Sequence, residues 1–293
     1  MSRLSVKITI KPAWNPEDWC NSLGSEGLSC TIILFMNRKK NPYLRTCDLA
    51  RAAGVHVNTV RQYEKWRLIP AVERSENGYR HYTRRHLDCL LLARMVYHEP
   101  YPGQEIRRIG KELIAAAVAG DLQMARQVSV EYRLAIEEEI DQAERAASAL
   151  EQWAASDLVK DETQPLSSGQ AARRVRISKD MLRHWERCGL VNAQRNPENR
   201  YRQYGAPEIE RLSIIRMLIR SGYSTMAILR MLTRLDEGKI DGLRDALDTP
   251  RPDEEILSAS DRWLSTLQEE LERIGRIQDF LSKMEGSDLS REQ

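Results

Sequence analysis

The sequence predicts a mainly α-helical protein built from two copies of one structural unit, each followed by a long amphipathic helix. Three observations support this prediction. One segment repeats at a constant offset of 122 residues, long stretches carry apolar residues at helical spacing, and 30% of the residues are charged while only two are Phe. A repeat at fixed spacing indicates repeated structure. A charged chain with few aromatic residues favours exposed helices over one large core.

The repeat aligns the first part of the chain with the second part residue by residue. Leu44 falls on Leu166 at its start and Arg108 falls on Arg230 at its end, without a gap in between. Chance does not keep register over such a length, so the chain holds two copies of one unit. The matching pairs between these limits include Arg61 and Arg183, Glu64 and Glu186, Leu68 and Leu190, Tyr79 and Tyr201, Arg80 and Arg202, and Tyr82 and Tyr204.

Each copy begins with two short helices joined by a tight turn. In the second copy Ser167 and Gln170 form a capping box, which satisfies free N–H groups at a helix start. In the first copy Gly54 marks the turn, since glycine tolerates a positive φ. We expect the second helix of this helix-turn-helix to span 56–65 in the first copy and 178–187 in the second.

A short β-hairpin, or wing, follows the second helix of each copy. Asn77-Gly78 lies between two strand-like segments and is a strong signal for a type I′ turn. The second copy has Asn199-Arg200 instead. Because Arg is a poor choice at a positive φ, the second wing is predicted to use a different turn.

The remaining segments of each copy are predicted to be helices, the last of them long. Helices are expected over 85–96 and 207–219, followed by short helices near Gly103 and Ser224. The long helices span 122–154 and 254–284, and each carries an apolar stripe typical of a coiled-coil seam, used for dimerisation or for packing within the chain. The stripes are Val128, Tyr132, Ile136, Ile140, Ala143, Ala147 and Leu150 in the first helix and Trp263, Leu267, Leu271, Ile274, Leu281 and Met284 in the second.

These elements define the predicted domains. Module one covers residues 42–115 and module two covers residues 166–246. A polar segment that ends in proline separates them and is interpreted as a linker. The other segments are an N-terminal extension over 1–41, expected to be disordered or to precede a true start at Met36, a coiled-coil helix over 120–155, the linker over 156–165 and a C-terminal coiled-coil helix over 253–285.

Charge is distributed unevenly along a chain whose net charge is only +2. Residues 43–86 hold nine Lys and Arg against four acidic residues, a net charge of +5. Residues 167–204 hold nine against three, a net charge of +6, so the rest of the chain carries −9. Two basic segments in an acidic chain are typical of a protein that binds phosphates.

Several other classes of protein are disfavoured. The apolar run within residues 31–36 is too short for a membrane span or signal peptide, so we expect a cytoplasmic, nucleoid-associated protein. The five cysteines form no C-x-x-C pair, which indicates neither a disulfide framework nor a metal site. No motif of a catalytic or cofactor site is present, so neither an enzyme nor a cofactor is expected.

The repeated unit resembles the DNA-binding domain of the MerR family of bacterial transcription regulators. In module one the similar segments are 49–55, 59–64 and 77–82, and in module two they include 182–186 and 199–204. The shared pattern is R-x-[YW]-E followed by Y-R-x-Y, and it occurs twice. The departures are His56 at a capping position, Trp66-Arg67 before Leu68, and Arg176 and Arg200 at the positions of the turn and wing glycines.

The resemblance implies a recognition helix in the major groove of DNA and a wing on the flanking backbone. Residues near the helix starts are expected to face base edges, the two motif arginines to contact phosphate or guanine, and the aromatic and wing residues to contact phosphates. Tyr63 and Trp185 are equally well explained as core residues, and Glu64 and Glu186 as partners that orient arginines. The candidate DNA-binding residues are His56, Asn58, Thr59, Arg61, Gln62, Tyr63, Tyr79, Arg80, Ser178, Lys179, Asp180, Arg183, His184, Trp185, Tyr201 and Arg202.

The predicted function is sequence-specific regulation of transcription, with double-stranded DNA as the partner and RNA polymerase as a further one at a promoter. The alternatives are an architectural or excisionase-like DNA-binding protein and a coiled-coil interaction scaffold that does not bind DNA. Because one chain holds two modules, we favour a single-chain pseudo-dimer over a homodimer with four modules.

Overall fold

A computed structural model of the chain describes residues 43–97, 103–155, 164–250 and 259–289. The described chain divides into two compact units, with the boundary in the sequence between Leu91 and Leu92. The predictions for the N-terminal extension and for most of the linker lie outside the described residues. None of the described helices is both long enough and apolar enough to cross a membrane.

The first compact unit contains the helix-turn-helix and wing of module one. Its core includes Leu49, Val60 and Tyr82, all with no exposed surface. The two wing strands pair antiparallel, Glu73 opposite His81. The elements are α1 (Thr46–Ala52), α2 (Val57–Lys65), β1 (Glu73–Arg74), β2 (Arg80–His81) and α3 (Arg84–Val96), whose last residues belong to the second unit.

The second compact unit begins with two helices and continues through module two to a final long helix. Module two repeats the helix-turn-helix, and its sheet has the order β3-β5-β4. The pairing of β3 with β5 corresponds to a single bridge between Leu44 and Tyr82 in module one. The elements are α4 (Gln104–Ala119), α5 (Leu122–Ala155), β3 (Leu166–Ser167), α6 (Ser168–Arg174), α7 (Lys179–Arg187), β4 (Gln194–Arg195), β5 (Arg202–Tyr204), α8 (Ala206–Arg220), α9 (Thr225–Asp236), α10 (Leu243–Asp248), a 3₁₀ turn (Ala259–Arg262) and α11 (Trp263–Leu289).

The two long helices, α5 and α11, pack against each other in antiparallel orientation. Arg126, near the start of α5, pairs with Glu285 near the end of α11, and Tyr132 donates a hydrogen bond to Glu270 further along. The predicted stripes of both helices are buried, except that Ile140 and Leu271 are half-buried. The apolar spacing therefore predicted both the helices and the faces that they bury.

Module two packs against the C-terminal half of α5. Tyr223 is buried and donates a hydrogen bond to the carbonyl of Ala143 at 3.3 Å. The indole of Trp153, two residues before the end of α5, donates to Glu210 at 3.4 Å. The C-terminal half of the first long helix thus contacts the second helix-turn-helix domain directly.

Three helices differ from the sequence-based expectations. The helix α4 has 16 residues and is not a short helix. The short helix α10 was not predicted, and α11 begins at Trp263 rather than at residue 254. The start of α11 is set by a distant contact, because the carboxylate of Asp248 accepts hydrogen bonds from the backbone N–H of Ser265 at 3.2 Å and from its hydroxyl.

Candidate nucleic-acid interface

The recognition helices α2 and α7 both begin at a residue whose side chain caps the helix. Nδ1 of His56 accepts a hydrogen bond from the backbone N–H of Asn58 at 3.2 Å. The hydroxyl of Ser178 accepts one from the N–H of Met181 at 3.0 Å. His56 therefore replaces the Ser that the family favours without leaving the helix start uncapped.

The recognition helix of module one presents a polar face to solvent. His56, Asn58 and Arg61 are exposed, while Thr59 and Gln62 are half-buried. The fully buried Val60 fixes this orientation, because it anchors the opposite side of the helix in the core. Of the predicted base-facing residues of module one, His56 and Asn58 are thus accessible and Thr59 is partly so.

The recognition helix of module two exposes more of its predicted residues. Ser178, Lys179, Asp180, Arg183 and His184 are all exposed. One nitrogen of the Arg183 guanidinium lies 3.5 Å from a carboxylate oxygen of Asp180, and both side chains are largely in solvent. Such an exposed pair is weak, so Arg183 can exchange this partner for a phosphate.

The aromatic position of the motif differs between the two modules. Trp185 is 2% exposed and belongs to the core of module two, whereas Tyr63 is half-buried. A phosphate contact was predicted for Trp185, and the structure corrects that prediction because the indole is enclosed by the fold. For this residue the alternative explanation, that it is a core residue, is the right one.

Each wing exposes one tyrosine to solvent. Each wing also carries an arginine that pairs with a glutamate on the recognition helix of the same module. Tyr79 and Tyr201 are 75% and 74% exposed. Arg80 donates a hydrogen bond to Glu64 at 2.8 Å, and Arg202 lies 2.9 Å from Glu186. The expectation that both glutamates orient arginines agrees with these distances.

A buried tyrosine completes each of these clusters. Tyr82 donates a hydrogen bond to Glu64 at 3.3 Å, and Tyr204 donates one to Glu186. Burial, together with the hydrogen bond to Glu186, raises the pKa of Tyr204 to about 12. The hydroxyl therefore stays protonated and keeps donating to the carboxylate.

The two wings use different turns, as the sequence predicts. The first turn is not the predicted type I′, because Gly78 has a positive φ and Asn77 does not. The reason given for the second turn is also wrong, because Arg200 adopts a positive φ of 62°. The N–H of Ser75 donates to the carbonyl of Tyr79 across three residues, whereas that of Asn196 donates to Tyr201 across four. Gln194 pairs with Gln203, while Glu73 pairs with His81, so the first strand of the second wing is shifted by one residue relative to the 122-residue offset. The pairing register thus differs between the two wings, although the sequences of the two copies align through the wing without a gap.

Three positions with left-handed backbone conformation hold Gly in one module and Arg in the other. The pairs are Gly54 (φ 60°) and Arg176 (φ 55°), Arg67 (φ 57°) and Gly189 (φ 77°), and Gly78 (φ 77°) and Arg200 (φ 62°). Among the residues described, these three arginines are the only non-glycine residues with a positive φ. Each such Arg costs about 1 kcal/mol or more. The sequence shows that Arg replaces Gly at the turn and wing positions of module two. It did not show that these arginines keep the left-handed backbone conformation.

No cluster in the described part of the chain is suited to hold a metal ion. No three His, Cys, Asp or Glu residues lie close enough together there. Cys188 contacts His184 with its sulfur 3.6 Å from Nε2, and Cys89 is buried.

Two helix-turn-helix units with hairpin wings make this a protein of the winged helix-turn-helix class. Residues 44–113 and 166–235 each match the model of the MerR HTH family regulatory protein. The chain therefore carries two helix-turn-helix domains of the MerR type in tandem. Both matched segments coincide with the two copies of the sequence repeat.

Individual relatives match over a single domain. The chain is 35% identical over 65 residues to the Mercuric resistance operon regulatory protein of Bacillus cereus, covering 22% of this chain and 49% of that protein. It is 45% identical over 47 residues to the HTH-type transcriptional regulator CueR of Escherichia coli O157:H7, covering 16% of this chain and 35% of that protein. The chain thus spans about half or less of the curated relatives that it matches. No solved structure matches it significantly.

Proposed function

We propose that the protein regulates transcription by binding specific sites in promoter DNA with two recognition helices and two wings. The observation that carries the proposal is the repeated constellation of an exposed, polar recognition helix and a wing whose tyrosine is about three-quarters exposed. Both copies lie within the basic segments 43–86 and 167–204. Positive charge near exposed polar side chains is what phosphate contacts and base readout require.

The two recognition helices are expected to read different half-sites. Outward positions differ between them, with Asn58 corresponding to Asp180 and Gln62 to His184. Because an amide and a carboxylate prefer different base edges, the preferred operator is asymmetric. Binding next to promoter elements would bring the chain to RNA polymerase in the bacterial nucleoid.

Selection of duplexes from a random pool, followed by footprinting, tests this proposal. The full chain is expected to enrich an asymmetric site with two unequal arms, and its affinity should fall steeply as salt is raised. A perfect palindrome protected equally on both arms would contradict the asymmetric readout. An absence of any salt-dependent binding would contradict DNA binding altogether and favour the interaction scaffold.

The position of bound sites then separates a regulator from an architectural protein. Mapping of bound DNA across the genome is expected to place the sites at promoters, and transcription of the adjacent genes should change when the protein is removed. Sites without any relation to promoters, and unchanged transcription, would favour the architectural or excisionase-like function.

A further inference from the structure

The left-handed arginines are not needed by the backbone at their own positions. Arg176 ends α6 as Gly54 ends α1, with the same two hydrogen bonds: the N–H of Arg176 donates to Arg173 and that of Ile177 to Ala172. Arg67 and Gly189 likewise end the two recognition helices with equivalent bonds. Because glycine closes the same helix ends in the sister module without steric strain, the fold does not explain Arg67 and Arg176. The position of Arg200 is likewise held by a left-handed glycine, Gly78, in the other wing.

Their guanidinium groups also lack partners among the residues that the structure describes. Arg67, Arg176 and Arg200 are all exposed, and the hydrogen bonds found at them involve only their backbone atoms. In contrast, the wing arginines Arg80 and Arg202 are held by glutamates. The three charges are therefore available to an external anion.

All three arginines adjoin the elements that the proposed function places on DNA. Arg176 precedes the N-cap of α7, Ser178, by two residues, and Arg67 follows the C-cap of α2 directly. Arg200 lies in the second wing turn, next to the exposed Tyr201. Strained residues that persist without a structural need are typical of functional sites.

We propose that Arg67, Arg176 and Arg200 are further contacts to DNA phosphates and that they make the two modules unequal. This inference rests on the proposed function. Module two carries two of these charges and module one carries one, so module two holds the DNA backbone more strongly. An arginine donates up to five hydrogen bonds and suits phosphate oxygens. Each contact releases condensed counterions and steepens the salt dependence of binding.

The test compares the full chain with a triple variant, Arg67→Gly, Arg176→Gly and Arg200→Gly, on a mixed-sequence duplex over a range of salt concentrations. Each lost phosphate contact should reduce the slope of log K against log salt by about 0.9, so the triple variant should lose about 2.7. Its melting temperature should stay the same or rise, because glycine relieves the left-handed conformation. If these arginines served only folding, the melting temperature of the triple Gly variant would fall instead.

Two matched variants separate charge from backbone effects. The triple Lys variant keeps three charges and should keep nearly the full salt slope. The triple Asn variant, which tolerates left-handed conformation without charge, should behave like the Gly variant. A Gly or Asn variant with the salt slope of the unmodified chain would overturn the inference, whereas an unmodified chain that binds no DNA would instead defeat the proposed function.

Discussion

Glu64 on the recognition helix of module one accepts a hydrogen bond from Arg80 on the wing at 2.8 Å, and Glu186 and Arg202 form the same pair at 2.9 Å in module two. The pair joins two elements that are 16 residues apart in the chain. It fixes the angle between the wing and the recognition helix. The R-x-[YW]-E and Y-R-x-Y patterns thus meet in space as one cluster.

We predict that Glu64→Gln destabilises module one by about 1 kcal/mol and that Glu186→Gln costs module two more. The side chain of Glu186 is 10% exposed and that of Glu64 is 22% exposed, so water replaces the lost partner less well in module two. Urea unfolding of each variant measures the difference. Equal losses, or a smaller loss for Glu186→Gln, would show that burial does not control the strength of these pairs.

Trp185 should contribute to stability rather than to DNA binding. Because it is 2% exposed, we expect Trp185→Ala to lower the free energy of unfolding by about 3–5 kcal/mol. Trp185→Phe should cost much less and leave the DNA affinity close to that of the unmodified chain. A well-folded Trp185→Phe variant with at least tenfold weaker binding would return Trp185 to the interface.

The sequence predicted the helical fold but not every detail of the interface. Apolar spacing located α5 and the recognition helices to within one residue, because a helix must bury one face. The start of α11 was missed because Asp248, which caps it, comes from another helix. The left-handed conformation of Arg67, Arg176 and Arg200 was also missed, because local propensity favours Gly at a positive φ.

A buried carboxylate between the long helices should make stability depend on pH. Glu270 is 2% exposed, and burial raises its pKa despite the ion pair with Arg273 and the hydrogen bond from Tyr132. A raised pKa means that the fold prefers the protonated form. The contribution of Glu270 to stability is therefore present at low pH and is lost as pH rises through its folded-state pKa.

We accordingly predict that Glu270→Gln reduces the pH dependence of the free energy of unfolding in the range above about pH 4.3, the pKa of an unperturbed Glu. Gln can still accept the hydrogen bond from Tyr132, so the packing should be retained. Urea denaturation of both proteins across this range provides the comparison, with Glu269→Gln as an exposed control. An equally steep pH dependence in Glu270→Gln would exclude Glu270 as its source.

The motif arginines should act on all DNA sequences. Arg61 and Arg183 are exposed at matching positions, so Arg61→Ala with Arg183→Ala should weaken binding to specific and unrelated duplexes alike. Asp180→Asn should strengthen non-specific binding, because it frees Arg183 and removes a charge that repels phosphate. Titrations at physiological salt measure both effects. Unchanged affinity in the double variant would remove these arginines from the interface.

The last prediction concerns how many chains occupy one operator. The helix α5 has 34 residues and is about 51 Å long, and its C-terminal half contacts module two through Tyr223 and Trp153. The helix α11 returns antiparallel along α5, with Tyr132 bonded to Glu270. The surface that would otherwise bind a second long helix is therefore occupied within the chain.

A covalent connection also raises the effective concentration of module two near module one, which favours closure within one chain. We therefore expect a single chain to cover both half-sites of one operator as a pseudo-dimer. Light scattering of the free protein should give the mass of one chain, 33.8 kDa, and the DNA complex should contain one chain per duplex. Two chains on a single operator with two half-sites would instead establish the homodimer, with long helices exchanged between chains.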